Sequence, residues 1–245
     1  MRKILIFGAM SAIAQATARR FAKDGDQFFL VGRKEENLQA VVADLMVRGA
    51  PKVDFFTADL NDFDLHEKII SRAIASLGSL DIVLVAHGTL GDQSACQKDY
   101  LKAEHELRTN FLSIVSLLTP IANIMETQRR GCIAVISSVA GDRGRQSNYI
   151  YGCAKGAVTL FLQGLRNRLQ KSSVDVLTIK PGFVDTPMTA SLKKGLLFVG
   201  PDAVARGIYH GIILKKDVVY IPIFWKFIML IVRCIPESLF KRMKL

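Results

Sequence analysis

The sequence predicts an α/β fold of a single domain, in which a doubly wound parallel sheet carries helices on both faces. Short apolar runs of strand length alternate along the chain with stretches of helical periodicity, and this alternation is typical of parallel sheets. Small or polar residues follow several of the apolar runs directly. The 245 residues contain no internal repeat, low-complexity tract or Pro/Ser-rich linker that would divide them, so we expect one domain.

The predicted elements follow one another in a regular order. Strands are predicted at residues 3–7, 28–32, 53–57, 82–85, 133–137 and 174–179, and a last strand ends before Pro222. A first helix follows the pattern Ala14, Ala18, Phe21 and Ala22, and further helices are predicted at residues 36–47, 64–77 and 100–127. Ligands of such sheets bind beyond the carboxyl ends of the strands. The residues at or just past those ends are Gly8, Gly32, Asp59, Gly88 and Ser138.

The first strand runs into a turn of small residues and then into a helix. Backbone N–H groups and the helix dipole favour an anion at such a helix N-terminus, and small side chains let a pyrophosphate approach closely. An ordinary buried strand–turn–helix unit has the same pattern, but the residues described next favour a dinucleotide site. Its candidate ligands are Gly8, Met10, Ser11, Ala12 and Ile13.

Further along the chain, Tyr151 and Lys155 stand four residues apart, so a helix presents them on one face. A nearby ammonium favours the phenolate and should lower the pKa of Tyr151 from about 10. The phenol then becomes usable in acid–base catalysis near neutral pH. A surface pair on a helix has the same spacing, but Ser138 stands thirteen residues before the tyrosine and Asn110 further upstream. Together they indicate an active site.

These residues resemble the motifs of the short-chain dehydrogenase/reductase family, whose fold is a Rossmann fold. The likeness runs from Arg2 to about Asp217. Tyr151 and Lys155 match the family's Y-x-x-x-K, and Asn110 and Ser138 stand where the family has its catalytic asparagine and serine. Gly8, Ala12 and Ala14 fall where three glycines are usual, Pro181-Gly182 matches the P-G after strand six, and Val85-Ala86-His87-Gly88 replaces the usual Asn-Asn-Ala-Gly.

The resemblance implies hydride transfer between a nicotinamide and a ketone or secondary alcohol. Ser138 would hydrogen-bond the substrate oxygen and Tyr151 would protonate it. Lys155 would contact the nicotinamide ribose, and Asn110 would anchor a water that links Lys155 to solvent. The other cofactor contacts implied are Asp59 and Leu60 at the adenine, Ala86 and Gly88 after strand four, and Pro181, Gly182, Val184 and Thr186 at the nicotinamide.

The end of the second strand bears on which nicotinamide cofactor is used. Gly32 stands where an acidic residue would accept hydrogen bonds from a ribose 2′-OH and repel a 2′-phosphate. Arg33 supplies a fork of donors suited to phosphate, and Lys34 adds a second positive charge. Both residues also suit the start of a solvated helix. The missing acid favours NADP(H).

Residues 218–245 form a tail that we separate from the catalytic domain of residues 1–217. The tail is apolar and aromatic up to Val232, except for Lys226. The stretch from Lys215 to the last residue carries a local charge of +5, within a chain of +11. Pro222 precedes a helix of about a dozen residues, too short for a bilayer that needs roughly 20. Such a helix suits an interfacial membrane anchor. It equally suits a cover for the substrate pocket or a contact between subunits.

The tail also resembles one branch of the family, the membrane-associated decaprenylphosphoryl-2-keto-pentose reductases. The resemblance implies a lipid-linked keto-sugar as substrate. Members of the wider family are usually homodimers or homotetramers, and we expect one of these assemblies here. The basic composition is not accompanied by a nucleic-acid motif, so we expect no nucleic-acid partner.

The cysteines and histidines show neither a C-x-x-C pair nor metal-ligand spacing, so we expect reduced thiols and no metal. No signal peptide precedes the first strand, which favours a cytoplasmic protein, with a peripheral position on the cytoplasmic membrane face as the alternative.

Three functions remain open. They are an NADPH-dependent ketoreductase at a membrane surface, a soluble reductase or dehydrogenase of a small ketone or alcohol, and a binding protein that holds NADPH without turnover.

Overall fold

Seven parallel strands form one sheet in the order β3-β2-β1-β4-β5-β6-β7. The structure, a computed structural model, describes residues 1–190 and 192–243. The strands are β1 Lys3–Phe7, β2 Gln27–Gly32, β3 Val53–Thr57, β4 Ile82–Val85, β5 Gly131–Ile136, β6 Val174–Pro181 and β7 Val218–Ile221. The predicted fold class is confirmed, and the predicted strands match these bounds to within a few residues.

Ten α-helices are found in the described part of the chain, and they cover both faces of the sheet. They are α1 Ala12–Ala22, α2 Glu35–Val47, α3 His66–Leu77, α4 Gln93–Cys96, α5 Tyr100–Leu107, α6 Ser113–Gln128, α7 Tyr149–Leu169, α8 Pro201–Ile213, α9 Phe224–Cys234 and α10 Glu237–Phe240. Short 3₁₀ turns connect several of them.

Each strand contributes alternate side chains to two separate cores. In β1, Ile4 and Ile6 pack with α1, α2 and α8, whereas Leu5 and Phe7 pack with α3, α6 and α7. Both faces of the sheet are therefore buried, which explains why its strands read as continuous apolar runs in the sequence.

The strand order reverses at β1, which pairs with β2 on one side and β4 on the other. The crevice beyond the carboxyl ends of the strands at such a switch point is the usual ligand site of open α/β sheets. Gly8 follows β1 there, and His87 and Gly88 follow β4.

The predicted helix at residues 100–127 is divided in the structure. A π-helical turn at Arg108–Leu112 separates α5 from α6. The cause is the side chain of Asn110, whose Nδ2 donates to the main-chain oxygen of Glu106 at 3.1 Å, within the helical ladder. A side chain inserted in this way widens a helix locally, and such turns are frequent at functional sites.

The tail is continuous with the domain. The division placed between residues 217 and 218 falls at the start of β7, whose Val218 is in register with Thr178 of β6, so the sheet includes the first part of the tail. Helix α9 follows Pro222, as predicted, and packs Trp225 and Met229 against Val139. Within residues 1–190 and 192–243, no helix combines the length and apolarity needed to cross a membrane.

Candidate active site

The turn after β1 brings the main chain very close to the segment after β4. Gly8 has φ +77°, and a Cβ there would lie 2.5 Å from the main-chain nitrogen of His87. The N–H groups of Gly8 and Ala9 both donate to the main-chain oxygen of Val31, at 3.0 and 2.9 Å. Only glycine fits this position, because a side chain would meet both a collision and an unfavourable φ.

Helix α1 begins directly beyond this turn, with the predicted residues Ala12 and Ile13 in its first turn. Ser11 is the N-cap residue, and among the described residues its side chain forms no capping hydrogen bond. The first N–H groups of α1 are therefore available to an anion. Met10 lies over Gly32, where a Cβ would be 3.4 Å from the Met10 Cγ.

Gly32 ends β2, and a Cβ at this position would be only 3.2 Å from the Cδ2 of Leu38. Arg33 and Lys34 follow it on the surface, and neither forms an ion pair with another described residue. Two cationic side chains therefore stand free at the carboxyl end of β2.

The strands on either side of the switch point complete this edge. Asp59 and Leu60 follow β3, and the Oδ1 of Asp59 accepts from the N–H of Asn61 at 2.9 Å. Ala86 is buried after β4, and its N–H donates to the main-chain oxygen of Phe7 at 2.9 Å. The predicted adenine-side and β4 residues therefore line the same edge as the turn at Gly8.

Ser138, Tyr151 and Lys155 come together at the end of β5. Ser138 begins a 3₁₀ turn at Val139–Asp142, and its Oγ accepts from the N–H of Ala140 at 3.0 Å. The hydroxyl of Tyr151 lies near this side chain. Helix α7 approaches this turn closely, since a Cβ on Gly141 would lie 2.6 Å from the main-chain nitrogen of Gly156.

Lys155 is only 3% exposed. Its Nζ donates to the main-chain oxygen of Ile136 at 3.1 Å and lies 5.7 Å from the centroid of the Tyr151 ring. The predicted neighbourhood of the two side chains on one helix face is therefore present.

The expected lowering of the tyrosine pKa is wrong for this structure. Burial raises the pKa of Tyr151 to about 12, and the nearby side chain of Ser138 offsets only part of that rise. Burial also lowers the pKa of Lys155 to about 8. Both shifts disfavour charge because water is withdrawn from the two groups. Tyr151 is a neutral phenol near pH 7, the protonation state of a proton donor.

Asn110 lies in the π-helical turn, completely buried. Its Nδ2 has three acceptors at 3.1 Å, namely the Thr89 Oγ1, the Glu106 main-chain oxygen and the Glu106 Oε2. Its Oδ1 accepts from the N–H of Thr89 at 3.1 Å. A Cβ on Gly88 would lie 2.6 Å from this Oδ1 and 3.4 Å from the Lys155 Nζ, so Gly88 separates the amide from the ammonium.

His87 lies in the segment after β4, where Val85-Ala86-His87-Gly88 replaces the usual Asn-Asn-Ala-Gly. Its Nε2 lies 2.8 Å from the Ser113 Oγ, and its Nδ1 is buried with no partner among the described residues. Burial first, and the charge of Lys155 second, lower the pKa of His87 to about 3. His87 is therefore a neutral side chain of the crevice.

The predicted nicotinamide-side residues follow β6. The N–H of Gly182 donates to the main-chain oxygen of Ile221 at 3.0 Å, and Val184 is buried and bridges to Val199. Thr186 begins a short turn at Pro187–Thr189 and shares a capping box with Thr189. Residues after β6 therefore flank the end of the sheet next to Ser138.

A tail that covers the pocket was one of the alternatives from the sequence, but the residues that make the contact were not predicted. The Nε1 of Trp225 lies where a Cβ of Gly182 would be, with 1.8 Å between the two positions. The Trp225 ring meets Phe183 edge-on at 5.4 Å, and Phe183 stacks on Phe198 at 5.2 Å. An aromatic cluster therefore covers the Pro181-Gly182 segment, and no spacing in the sequence indicates these contacts.

Arg143 fastens the tail to the segment that carries Ser138. Its Nη1 donates to the main-chain oxygens of Val232 and Ile235, both at 2.6 Å, at the C-terminal end of α9. Its Nη2 donates to Glu237 at 2.9 Å, and its guanidinium lies 3.7 Å from the centroid of the Phe240 ring. A cation at the last carbonyls of a helix stabilises that end.

A buried charged cluster stabilises the same segment from the sheet side. The Lys180 Nζ pairs with the Asp142 Oδ1 at 2.5 Å, and the Tyr220 hydroxyl donates to the Asp142 Oδ2 at 2.9 Å. Burial, followed by this hydrogen bond, raises the pKa of Tyr220. The turn after Ser138 is thus tied to both β6 and β7.

Comparison with known proteins gives consistent results along the chain. A family model described as short chain dehydrogenase matches residues 2–196. An uncharacterized oxidoreductase of Mycobacterium tuberculosis is 34% identical over 240 residues, covering 98% of this chain and 96% of that protein. An uncharacterized oxidoreductase of Streptomyces coelicolor is 31% identical over 243 residues, covering 99% and 96%.

Two solved structures share the fold. Levodione reductase superposes with a TM-score of 0.81 at 22% identity, and a variant of actinorhodin polyketide ketoreductase with NADPH superposes with 0.79 at 20%. Each comparison covers 89% of this chain and 95% of the other. At these identities the two structures establish the architecture alone.

Proposed function

The chain belongs to the short-chain dehydrogenase/reductase family and is an oxidoreductase of that family, and we propose that it interconverts a ketone and a secondary alcohol with NADP(H). The observation that carries the proposal is the cluster of Ser138, Tyr151 and Lys155 at the end of β5, beside the glycine turn of β1. A phenol beside a serine hydroxyl and close to a buried lysine suits proton transfer to a carbonyl oxygen.

The carboxyl edge of the sheet has the features that a dinucleotide requires. The closeness of Gly8 to His87 and of Gly88 to Asn110 leaves no room for side chains, so main chain lines the crevice. The free N-terminus of α1 suits a pyrophosphate. The cofactor would be held by Gly8, Met10, Ser11, Ala12, Ile13, Arg33, Lys34, Asp59, Leu60, Ala86, Gly88, Tyr151, Lys155, Pro181, Gly182, Val184 and Thr186.

The free cations after β2 support NADP(H) over NAD(H). Arg33 and Lys34 are exposed and have no ion-pair partner among the described residues, so a 2′-phosphate would not compete with an existing carboxylate. A side chain in place of Gly32 would have to displace the end of Leu38, because its Cβ would lie 3.2 Å from the Leu38 Cδ2. Guanidinium groups bind phosphate through charge-assisted, bidentate hydrogen bonds.

The bound cofactor would supply the hydride. Ser138 and Tyr151 would polarise the substrate carbonyl by hydrogen bonds, and the neutral Tyr151 would give its proton to the oxygen as negative charge develops there. The ammonium of Lys155 would stabilise the phenolate that remains. Tyr151 is protonated near pH 7, with its pKa raised to about 12, which is the state required of a group that gives a proton to the substrate oxygen.

The experiment for this proposal is NADPH oxidation by the purified protein with a panel of ketones, compared with Tyr151→Phe. We expect turnover in the wild type and a loss of at least about 100-fold in the variant, because a general acid typically contributes 10²–10⁴. NADPH binding, followed by calorimetry, should stay largely intact, because the other proposed cofactor contacts remain. Turnover in Tyr151→Phe equal to wild type would overturn the assignment, and binding without turnover in the wild type would favour the NADPH-binding interaction protein.

For the substrate we propose a lipid-linked keto-sugar that is met at a membrane surface. The specific observation is the outer face of α9, where Phe227, Leu230 and Ile231 are 61%, 60% and 67% exposed. Lys226 and Arg233 flank these side chains, and Lys241 and Arg242 follow beyond α10. An apolar face bordered by cations suits the interface of an anionic membrane. The inner face of the same helix covers Gly182, which also suits a soluble reductase with a pocket cover.

Vesicle binding separates these two alternatives. Phe227→Asp and Ile231→Asp should each weaken co-sedimentation with anionic vesicles by about tenfold or more, because each removes a large apolar side chain from the bound face. Val47→Asp is a matched control, since Val47 is equally apolar and 90% exposed on α2. If all three variants and the wild type stay in the supernatant, the tail serves only as a cover or contact. NADPH oxidation with lipid or aqueous extracts then identifies the substrate fraction.

A further inference from the structure

Glu106 is a buried carboxylate near the C-terminal end of α5, four residues before Asn110. The residue is 8% exposed, and no ion pair of Glu106 is present in the described part of the chain. Its Oε2 accepts from the Thr89 hydroxyl at 2.7 Å and from the Asn110 Nδ2 at 3.1 Å. Burying a charged group without a counter-ion is costly. A buried carboxylate beside the candidate active site therefore indicates a function for Glu106.

We infer that Glu106 is a positioning residue, which fixes the side-chain amide of Asn110 with its oxygen toward Lys155. An asparagine amide has a donor end and an acceptor end, and its hydrogen-bond partners decide which end faces which side. All three groups around the Nδ2 accept hydrogen bonds, and two of them belong to Glu106. The carboxylate has no proton to donate and cannot bind the amide oxygen in place of the nitrogen.

Thr89 favours the same orientation of the Asn110 side-chain amide. Its hydroxyl donates to Glu106 and therefore presents a lone pair to the Asn110 Nδ2, while its main-chain N–H donates to the Asn110 Oδ1. Glu106 also restricts the loop itself, because a Cβ on Gly91 would lie 2.7 Å from the Glu106 Cδ. Glu106 thus holds both the amide and the loop that surrounds it.

The orientation of the amide has a consequence for the lysine. The Oδ1 points at Gly88, on whose other side lies the Lys155 Nζ. An oxygen on this side favours the buried ammonium, whereas a reversed amide would direct N–H groups toward a group that only donates. In the proposed function, on which this inference rests, Glu106 therefore supports the charged state of Lys155 through Asn110.

The groups that face Glu106 come from three elements. Asp92 and Cys96 belong to α4 and its N-cap, Lys102 and His105 belong to α5, and Tyr151 belongs to α7. A cavity of about 300 Å³ between α4 and α5 is lined by Glu106 together with Asp92, Cys96, Lys102 and His105. The negative charge of Glu106 also contributes to the raised pKa of Tyr151.

The test compares Glu106→Leu and Glu106→Gln with Glu104→Gln, an exposed control on the same helix that loses the same charge. We expect the leucine variant to lose roughly 10-fold to 100-fold in kcat with little change in KM for NADPH, since it removes charge-assisted hydrogen bonds far from the adenine end. The glutamine variant should lose less, because its oxygen still accepts. A kcat within twofold of the control in both variants would overturn the inference.

A double-mutant cycle with Asn110→Ala shows whether Glu106 acts through Asn110. If it does, Glu106→Leu costs kcat in the wild-type background and almost nothing further in the Asn110→Ala background. Equal losses in the two backgrounds would contradict the proposal, even if NADPH turnover itself is established.

A readout independent of turnover keeps the inference testable if the proposed function fails. Side-chain amide NMR of protein labelled with ¹⁵N-asparagine, assigned with Asn110→Ala, reports hydrogen exchange of the Asn110 NH₂ group. Protection should be strong in the wild type and in Glu104→Gln, and lost in Glu106→Leu. Unchanged protection in Glu106→Leu would overturn the inference whether or not the protein reduces ketones.

Discussion

Some residues of the candidate site suit its proposed chemistry but lower the stability of the folded protein. Lys155 is the clearest example, because its amine is almost fully buried and its one hydrogen bond in the described structure goes to Ile136. Burial lowers its pKa to about 8, against 10.5 when it is solvated. The folded state therefore binds this proton less tightly than the unfolded state does.

Lys155→Met should make the protein more stable and inactive. Below pH 8 the folded wild type carries a buried ammonium that methionine does not, so we expect a gain on the order of 1–3 kcal/mol at pH 7. Between pH 8 and 10.5 the unfolded state still binds the proton that the folded state has released, so wild-type stability rises with pH and the gain shrinks. Thermal unfolding of both proteins at pH 7 and pH 10 measures this gain in stability. A gain that is larger at pH 10 than at pH 7 would contradict the expected pH dependence.

A second residue-scale expectation concerns Arg33. Arg33→Ala should raise the KM for NADPH by roughly 10-fold to 100-fold, because it removes a charge-assisted contact with the 2′-phosphate. The KM for NADH, which lacks that phosphate, should stay within about twofold. Arg72→Ala, at an exposed position on α3, is the matched control. Equal changes in the KM values for NADPH and NADH would indicate that Arg33 does not contact the 2′-phosphate.

At the scale of elements, the tail helix and the segment after β6 depend on each other. Gly182→Ala would place a methyl group on the Trp225 ring, so α9 must move or the strand end must shift. We expect a loss of about 1–3 kcal/mol, which is typical of overpacking, and a fall in Tm of roughly 3–10 °C. Limited proteolysis should also release residues 224–243 faster. Gly195→Ala, which adds a methyl group to open space, should change neither measurement.

Most elements could be predicted because their signals are local. Apolar runs located the seven strands, and Pro222 located the start of the tail helix. The break after Leu107 could not be predicted, because Asn110 fits helical periodicity and acts through a side-chain bond to Glu106. The burial of Glu106 was equally hidden, since a glutamate in an amphipathic pattern suggests solvent. The contacts of Trp225 with Gly182 and of Arg143 with α9 join distant parts of the chain, and no spacing in the sequence encodes them.

At the scale of the whole molecule, the outer side of α7 is the surface that we expect to join two copies of the chain. A mainly apolar groove of about 520 Å³ runs along it, lined by Phe111, Leu160, Phe161 and Arg168 among others, and Leu160 is 70% exposed. Antiparallel packing of the same helix from a second copy would cover these side chains isologously.

Leu160→Glu tests this assembly. A charge at the centre of the contact should convert the protein to monomers, and light scattering coupled to size exclusion should report about half the wild-type mass or less. Leu214→Glu, at a position 62% exposed after α8, is the control. A wild type that already elutes as a monomer would exclude this contact.

The bond between Arg143 and the end of α9 spans about ninety residues of chain. During synthesis, six strands and the serine turn therefore leave the ribosome well before the segment that covers them. Removal of residues 224–243 would leave the seven strand segments in the chain but would take away the contact of Trp225 with Gly182 and the acceptors of Arg143 in the tail. The contacts of Arg143 that border the serine turn can thus form only after α9 has been synthesised, so this end of the candidate site is completed late.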